Sequence, residues 1–142
     1  MRKKIITMIA VIMVANLFAI PALADTGVLK VDEAVISPMY TYISNAEALI
    51  SINSSGKATV ETYVTGNSEV TSIKAAINLQ QYKDGNWTTI KTWNESSSSR
   101  ILDFSSTYYI SSGYKYRVKS TVTAYSGDKS ESTTLTSSSQ SY

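Results

Sequence analysis

Hydrophobic positions follow two unlike patterns along this chain. At the start they are nearly contiguous: Arg2, Lys3 and Lys4 precede a largely apolar run from Ile5 to Ile20, followed by Pro21 and the triplet Ala22-Leu23-Ala24. A basic head, an apolar middle and an A-x-A end are the three parts of an export signal, so residues 1–24 predict a leader cleaved after Ala24. The run spans 16 residues, short of the roughly 20 needed to cross a bilayer, and no second apolar stretch follows it. A secreted chain beginning at Asp25, without stable membrane insertion, is the expectation.

Beyond the leader the hydrophobic residues alternate instead of clustering. Residues 25–37 read as a partly extended entry segment, with Pro38 restricting any pairing there to an edge. Tyr40 to Ile43 and Glu47 to Ile52 are short strand candidates, and Asn53-Ser54-Ser55-Gly56 is a turn signal. After it, Ala58, Val60, Thr62 and Val64 alternate with Thr59, Glu61, Tyr63 and Thr65 at the period of a half-buried strand. Past Gly66-Asn67, Ile73, Ala75, Ile77 and Leu79 share one face while Lys74, Ala76, Asn78, Gln80 and Tyr82 share the other. A loop is expected from Asn94 to Ser99, then a strand from Ile101 to Phe104 with Leu102 and Phe104 inward. Ser111-Ser112-Gly113 turns into the longest alternating run, Tyr114 to Tyr125, which sets Tyr116, Val118, Ser120 and Val122 against Lys115, Arg117, Lys119 and Thr121. Ser126-Gly127-Asp128 leads to a weak last strand near Ser130 to Leu135, and the polar tail 137–142 is expected to fray. Frequent turns with no helical periodicity between them predict an all-β fold, a single antiparallel β-sandwich over residues 38–136.

Asp84-Gly85 is the strongest local signal. Both residues accept positive φ, so they suit a two-residue type I′ loop that pairs Lys83 directly with Asn86. The regular register from that loop sets Tyr82 opposite Trp87, Gln80 opposite Thr89, Asn78 opposite Lys91 and Ala76 opposite Trp93, with Leu79 meeting Ile90 and Ile77 meeting Thr92 on the other face. Burying the aliphatic face avoids burying Lys91 and Asn78 without partners. Both tryptophans are therefore expected on the solvent side.

Composition narrows the chemistry. The formal charge of +2 includes three cations of the leader; from Asp25 onward ten cations face eleven carboxylates. Such a balance gives no argument for nucleic acid or an anionic membrane as partner. Ser and Thr together number 38 in that region, which favours strands with polar surfaces. The absence of His and Cys rules out Ser-His-Asp triads, thiol chemistry, disulfides and histidine metal sites. A disulfide-free exported domain points to a bacterium, and on that reading the sequons at Asn53, Asn86 and Asn94 are by-products of Ser/Thr richness.

The spacing of Ile110, Tyr116 and Val118 around Gly113 resembles the fibronectin type III corner, in which a tyrosine hydroxyl returns to nearby backbone. The resemblance implies an immunoglobulin/fibronectin III-like sandwich. More widely, the leader, the segment Ile77-Asn78-Leu79-Gln80-Gln81-Tyr82 before Asp84-Gly85-x-Trp87, Trp93, and Ser112-Gly113-Tyr114-x-Tyr116-Arg117-Val118 look like a group of short exported proteins of unknown function from Gram-positive bacteria, clostridia especially. That likeness carries no catalytic residues and implies no cofactor.

Three constellations carry candidate chemistry. Tyr82, Trp87 and Trp93 form an aromatic set able to stack on sugar rings or aromatic side chains; the plainer reading is a cross-strand pair that stabilises the hairpin. Lys115, Arg117 and Lys119 lie at period two on one strand face, which a fibronectin-like order sets beside Asn78, Gln80 and Lys91. Together these suit an anionic glycan, a cell-wall polymer or an acidic extracellular protein, whereas solvated charges guarding against aggregation are the plainer alternative. The carboxylates Glu61, Asp84, Glu95, Asp103 and Asp128 fall in separate strands and loops with no spacing that pairs them as glycoside hydrolysis requires, and there is no calcium-loop motif. The expectation is a non-enzymatic, secreted binding module without a cofactor. The alternatives are a structural protein that self-associates through its Thr-rich edges and, less well supported, an enzyme acting on an extracellular polymer.

Overall fold

The computed structural model describes residues 39–142, so the predicted leader and entry segment lie outside the described residues. Eight strands follow in order: β1 (Ile43–Ile52), β2 (Lys57–Gly66), β3 (Ser72–Lys83), β4 (Asn86–Ser97), β5 (Ile101–Tyr109), β6 (Lys115–Ser126), β7 (Lys129–Thr136) and β8 (Gln140–Ser141). They build two antiparallel sheets, one ordered β1-β2-β5 and a larger one ordered β4-β3-β6-β7 with β8 added to β6.

Two-residue alternation turns one largely apolar row of β1, β2, β3, β5 and β6 inward, and the two inner faces close on each other as a sandwich. Val60 and Val64 from β2 meet Ile73, Ile77 and Leu79 from β3 and Tyr116, Val118 and Val122 from β6, all fully buried. Among these apolar residues sit Thr62 and Ser120, the buried polar pair, whose hydroxyls bond across the sandwich at 2.7 Å. The Tyr116 hydroxyl donates to the Ser111 carbonyl at 2.6 Å and accepts from Gln81 Nε2 at 3.0 Å, so its burial leaves nothing unpaired.

Three expectations are corrected. The first short candidate, Tyr40 to Ile43, does not form, since Tyr40, Thr41 and Tyr42 lie outside any strand; Ile43 instead begins β1, which joins the second candidate through Asn45 and Ala46 with Ser44 left unpaired. The expected loop after β4 begins later, since Ser96 and Ser97 still pair with Lys74 and Ile73. The tail does not fray. Ser137 exchanges hydrogen bonds with Val118, its N–H donating to the carbonyl and its hydroxyl accepting from the amide, both at 2.9 Å. Beyond it β8 pairs with Lys115 and Tyr116 on the same edge of β6. Gln140 Oε1 accepts from the Ile52 amide at 3.1 Å, and the Tyr142 ring packs on the core over Gly56. At Gly56 φ is 77°, and a Cβ there would come within 2.8 Å of that ring, so only glycine serves both the turn and the contact.

At the other end of β1, the Glu131 carboxylate of β7 accepts from the amides of Thr41, Tyr42 and Ile43 at 2.7, 2.8 and 2.8 Å. Burial pushes this carboxyl up, but the three N–H bonds outweigh it and hold it below its ordinary 4.5.

Candidate functional site

Asp84 and Gly85 both have positive φ, 51° and 80°, which is the type I′ geometry read from the sequence. Tyr82 pairs with Trp87 and Gln80 with Thr89 as expected. The ladder then shifts: Ile90 has no partner, Leu79 pairs with Lys91, Asn78 with Thr92 and Ile77 with Trp93. A bulge of one residue exchanges the faces of everything beyond it. Lys91 and Trp93 therefore leave the outer face, contrary to the expected pairings Leu79–Ile90, Asn78–Lys91, Ile77–Thr92 and Ala76–Trp93. Trp93 is half-buried, its ring 5.8 Å from that of Phe104 and 6.5 Å from that of Tyr108, with the Lys91 ammonium 5.7 Å from its centroid. The edge strand β4 has only one ladder to satisfy, so it tolerates the bulge, and turning Trp93 inward covers the gap between β4 and β5 with an indole.

The other five candidates do assemble. On the outer face of the larger sheet, Gln80 is flanked by Thr89 and Arg117, Tyr82 by Trp87 and Lys115, and Asn78 by Thr92 and Lys119. Tyr82 and Trp87 stand 5.1 Å apart at 53°. The Arg117 side chain crosses β3, where its Nε donates to Gln80 Oε1 at 2.9 Å, and its guanidinium lies 4.2 Å from the centre of the Trp87 ring. Stacking and the Gln80 bond fix the guanidinium plane. Its terminal nitrogens make no hydrogen bond among the described residues, so they remain able to fork onto an anion. Lys115 and Lys119 flank Arg117 at successive outward positions roughly 7 Å apart.

Further along the same face lies a shallow depression of about 420 Å³, lined by Lys74, Ala75, Ala76, Asn94, Glu95, Ser96, Thr121 and Thr123. Ala76 forms its floor, standing between Asn94 on β4 and Thr121 on β6. The sequence signal was a small residue in an outward row of larger polar ones, but its neighbours depend on the bulge, which brings Asn94 rather than Trp93 alongside. Lys74 borders it, with its ammonium 5.5 Å from the Tyr125 ring centroid. Among the described residues the outward strand positions of this face carry four cations, Lys74, Lys115, Arg117 and Lys119, and no carboxylate, while Glu95, paired with inward Ala75, reaches the rim of the depression near Lys74.

The smaller sheet presents the opposite charge. Pairing sets Glu47, Tyr63 and Asp103 in one outward row across β1, β2 and β5, with Leu49, Glu61 and Ser105 in the next. Carboxylates that look scattered in the sequence thus share a face, together with exposed Leu49, Tyr63 and Ile101. No group of three acidic side chains among the described residues is placed to hold a metal ion. Compared with protein-family models, with curated proteins and with solved structures, the chain matches none.

Proposed function

We propose that this chain is a secreted, non-enzymatic β-sandwich binding module whose larger sheet takes an anionic ligand on its outer face. The export reading rests on the three-part leader. An immunoglobulin/fibronectin III-like arrangement is supported by the strand order β1-β2-β5 against β4-β3-β6-β7 and by the corner bond from the Tyr116 hydroxyl to the Ser111 carbonyl. One observation carries the functional reading: the Arg117 guanidinium is stacked on Trp87 amid Lys115 and Lys119, with no carboxylate at the strand positions paired around them. A cation held with its donors outward on a rigid sheet binds an anionic glycan, a wall polymer or an acidic protein surface with little loss of side-chain entropy.

Binding of the secreted chain to an isolated anionic wall polymer, with a neutral glycan as control, tests this. Arg117→Ala should weaken polymer binding by about 10-fold with the fold unchanged, and raising salt should weaken wild-type binding. Affinity indifferent to salt, to Arg117→Ala and to Trp87→Ala would overturn the reading.

A further inference from the structure

The two outer faces are complementary, and this extends the reading above by naming the partner. We infer that the acidic surface taken by the cationic face is the outer face of the smaller sheet of a second copy of this chain. The inference rests on that reading, because it uses the same Trp87–Arg117 site.

Charge is partitioned between the faces. Four cations and no carboxylate stand at outward strand positions of the larger sheet, while Glu47, Glu61 and Asp103 stand on the smaller one, where the outward cation Lys57 lies at the far end of β2. Neighbouring strands are about 4.8 Å apart and alternate residues about 7 Å apart, so Lys115, Arg117 and Lys119 span roughly 14 Å and the three carboxylates roughly 10 to 12 Å, with Lys74 about another 13 Å along the larger sheet. The row from Lys115 to Lys119 and the carboxylate cluster are therefore of similar size. Apolar surface also matches. Leu49, Tyr63 and Ile101 are 45, 38 and 41 % exposed among the carboxylates, opposite a surface that offers Tyr82 and Trp87. Tyrosine, tryptophan and arginine surrounded by charge are the composition of an interface centre.

Because one face meets the other, the contact is heterologous and leaves a free cationic face at one end and a free acidic face at the other. Such a contact propagates by stacking sandwiches face to face, unlike pairing through strand edges.

Sedimentation velocity on the secreted chain over a concentration series tests this. At low salt the mass should grow with concentration past that of a dimer, and at about 1 M salt it should return to that of a monomer. Glu61→Lys with Asp103→Lys, and separately Lys115→Glu with Arg117→Glu, should each weaken association more than about 10-fold, because each leaves two like-charged faces. Mixing the two variants should restore association, a rescue that damaged folding cannot produce. A wild type monomeric at every concentration in low salt, variants that assemble as wild type does, or a mixture that stays monomeric would each overturn the inference. The Glu61→Lys, Asp103→Lys variant keeps the cationic face, so it should still bind the anionic wall polymer. A monomeric wild type that binds the polymer sinks the stacking and leaves the proposed function standing; loss of polymer binding's dependence on Arg117 sinks the latter.

Discussion

Thr62 and Ser120 place two hydroxyls in the middle of an otherwise apolar core, each the other's partner at 2.7 Å. A buried hydroxyl that loses its partner retains its desolvation penalty, whereas removing both leaves no group unsatisfied. Thr62→Val should therefore cost about 1 to 3 kcal/mol, and adding Ser120→Ala should recover part of that loss. Urea unfolding of the two single variants and the double variant measures the coupling; strictly additive losses would mean that the pair does not act as a unit. The pair also discriminates against sliding. A two-residue slip of one sheet along the other would oppose each hydroxyl with a valine side chain and leave both without partners.

Among the elements, β8 is the shortest, and it closes one end of the sandwich through Tyr142 and Gln140. Tyr142→Ala removes a half-buried ring over Gly56 and should cost about 1 to 3 kcal/mol, read as a lowered denaturation midpoint. A midpoint unchanged from wild type would mean that the tail contributes no packing. Most strands are legible in the sequence because an alternating run such as Ala58 to Val64 or Tyr116 to Ala124 buries one row under almost any sandwich arrangement. The Asp84-Gly85 loop is legible for a local reason, since few dipeptides accept two positive φ values. The bulge at Ile90 is not: Thr89-Ile90-Lys91 reads as a regular strand, and the unmatched residue is selected by packing of Trp93 against Phe104, a contact between distant parts of the chain. Thus Tyr82 and Trp87 meet as local pairing from the loop implies, and Lys115, Arg117 and Lys119 come beside them because β6 pairs with β3, the adjacency that the fibronectin-like order implies, while Lys91 and Trp93 are misplaced. The tail is illegible because it is held by backbone bonds, which Ser-rich composition does not reveal.

For the whole molecule, acid should loosen the side where β1 meets β7. The Glu131 carboxyl is held below 4.5 in the folded chain, so its stabilising contribution is present above the unfolded value and is lost as pH falls through the lowered one. Wild type should lose stability below pH 4.5 more steeply than Glu131→Gln, which has no carboxylate to protonate; parallel profiles by denaturant titration would place the acid sensitivity elsewhere. The opposite side, where β4 and β5 lie, is guarded differently. β4 offers a row of unpaired amides and carbonyls, the template on which foreign strands add and sheets grow into aggregates. Ile90 kinks that row, and Lys91 holds a charge toward the flank where an added strand's apolar side chains would lie. An incoming strand would have to match an irregular ladder and desolvate an ammonium. The same bulge that withdraws a lysine and a tryptophan from the outer face therefore makes the exposed border of a Thr-rich sandwich a poor template for strand addition.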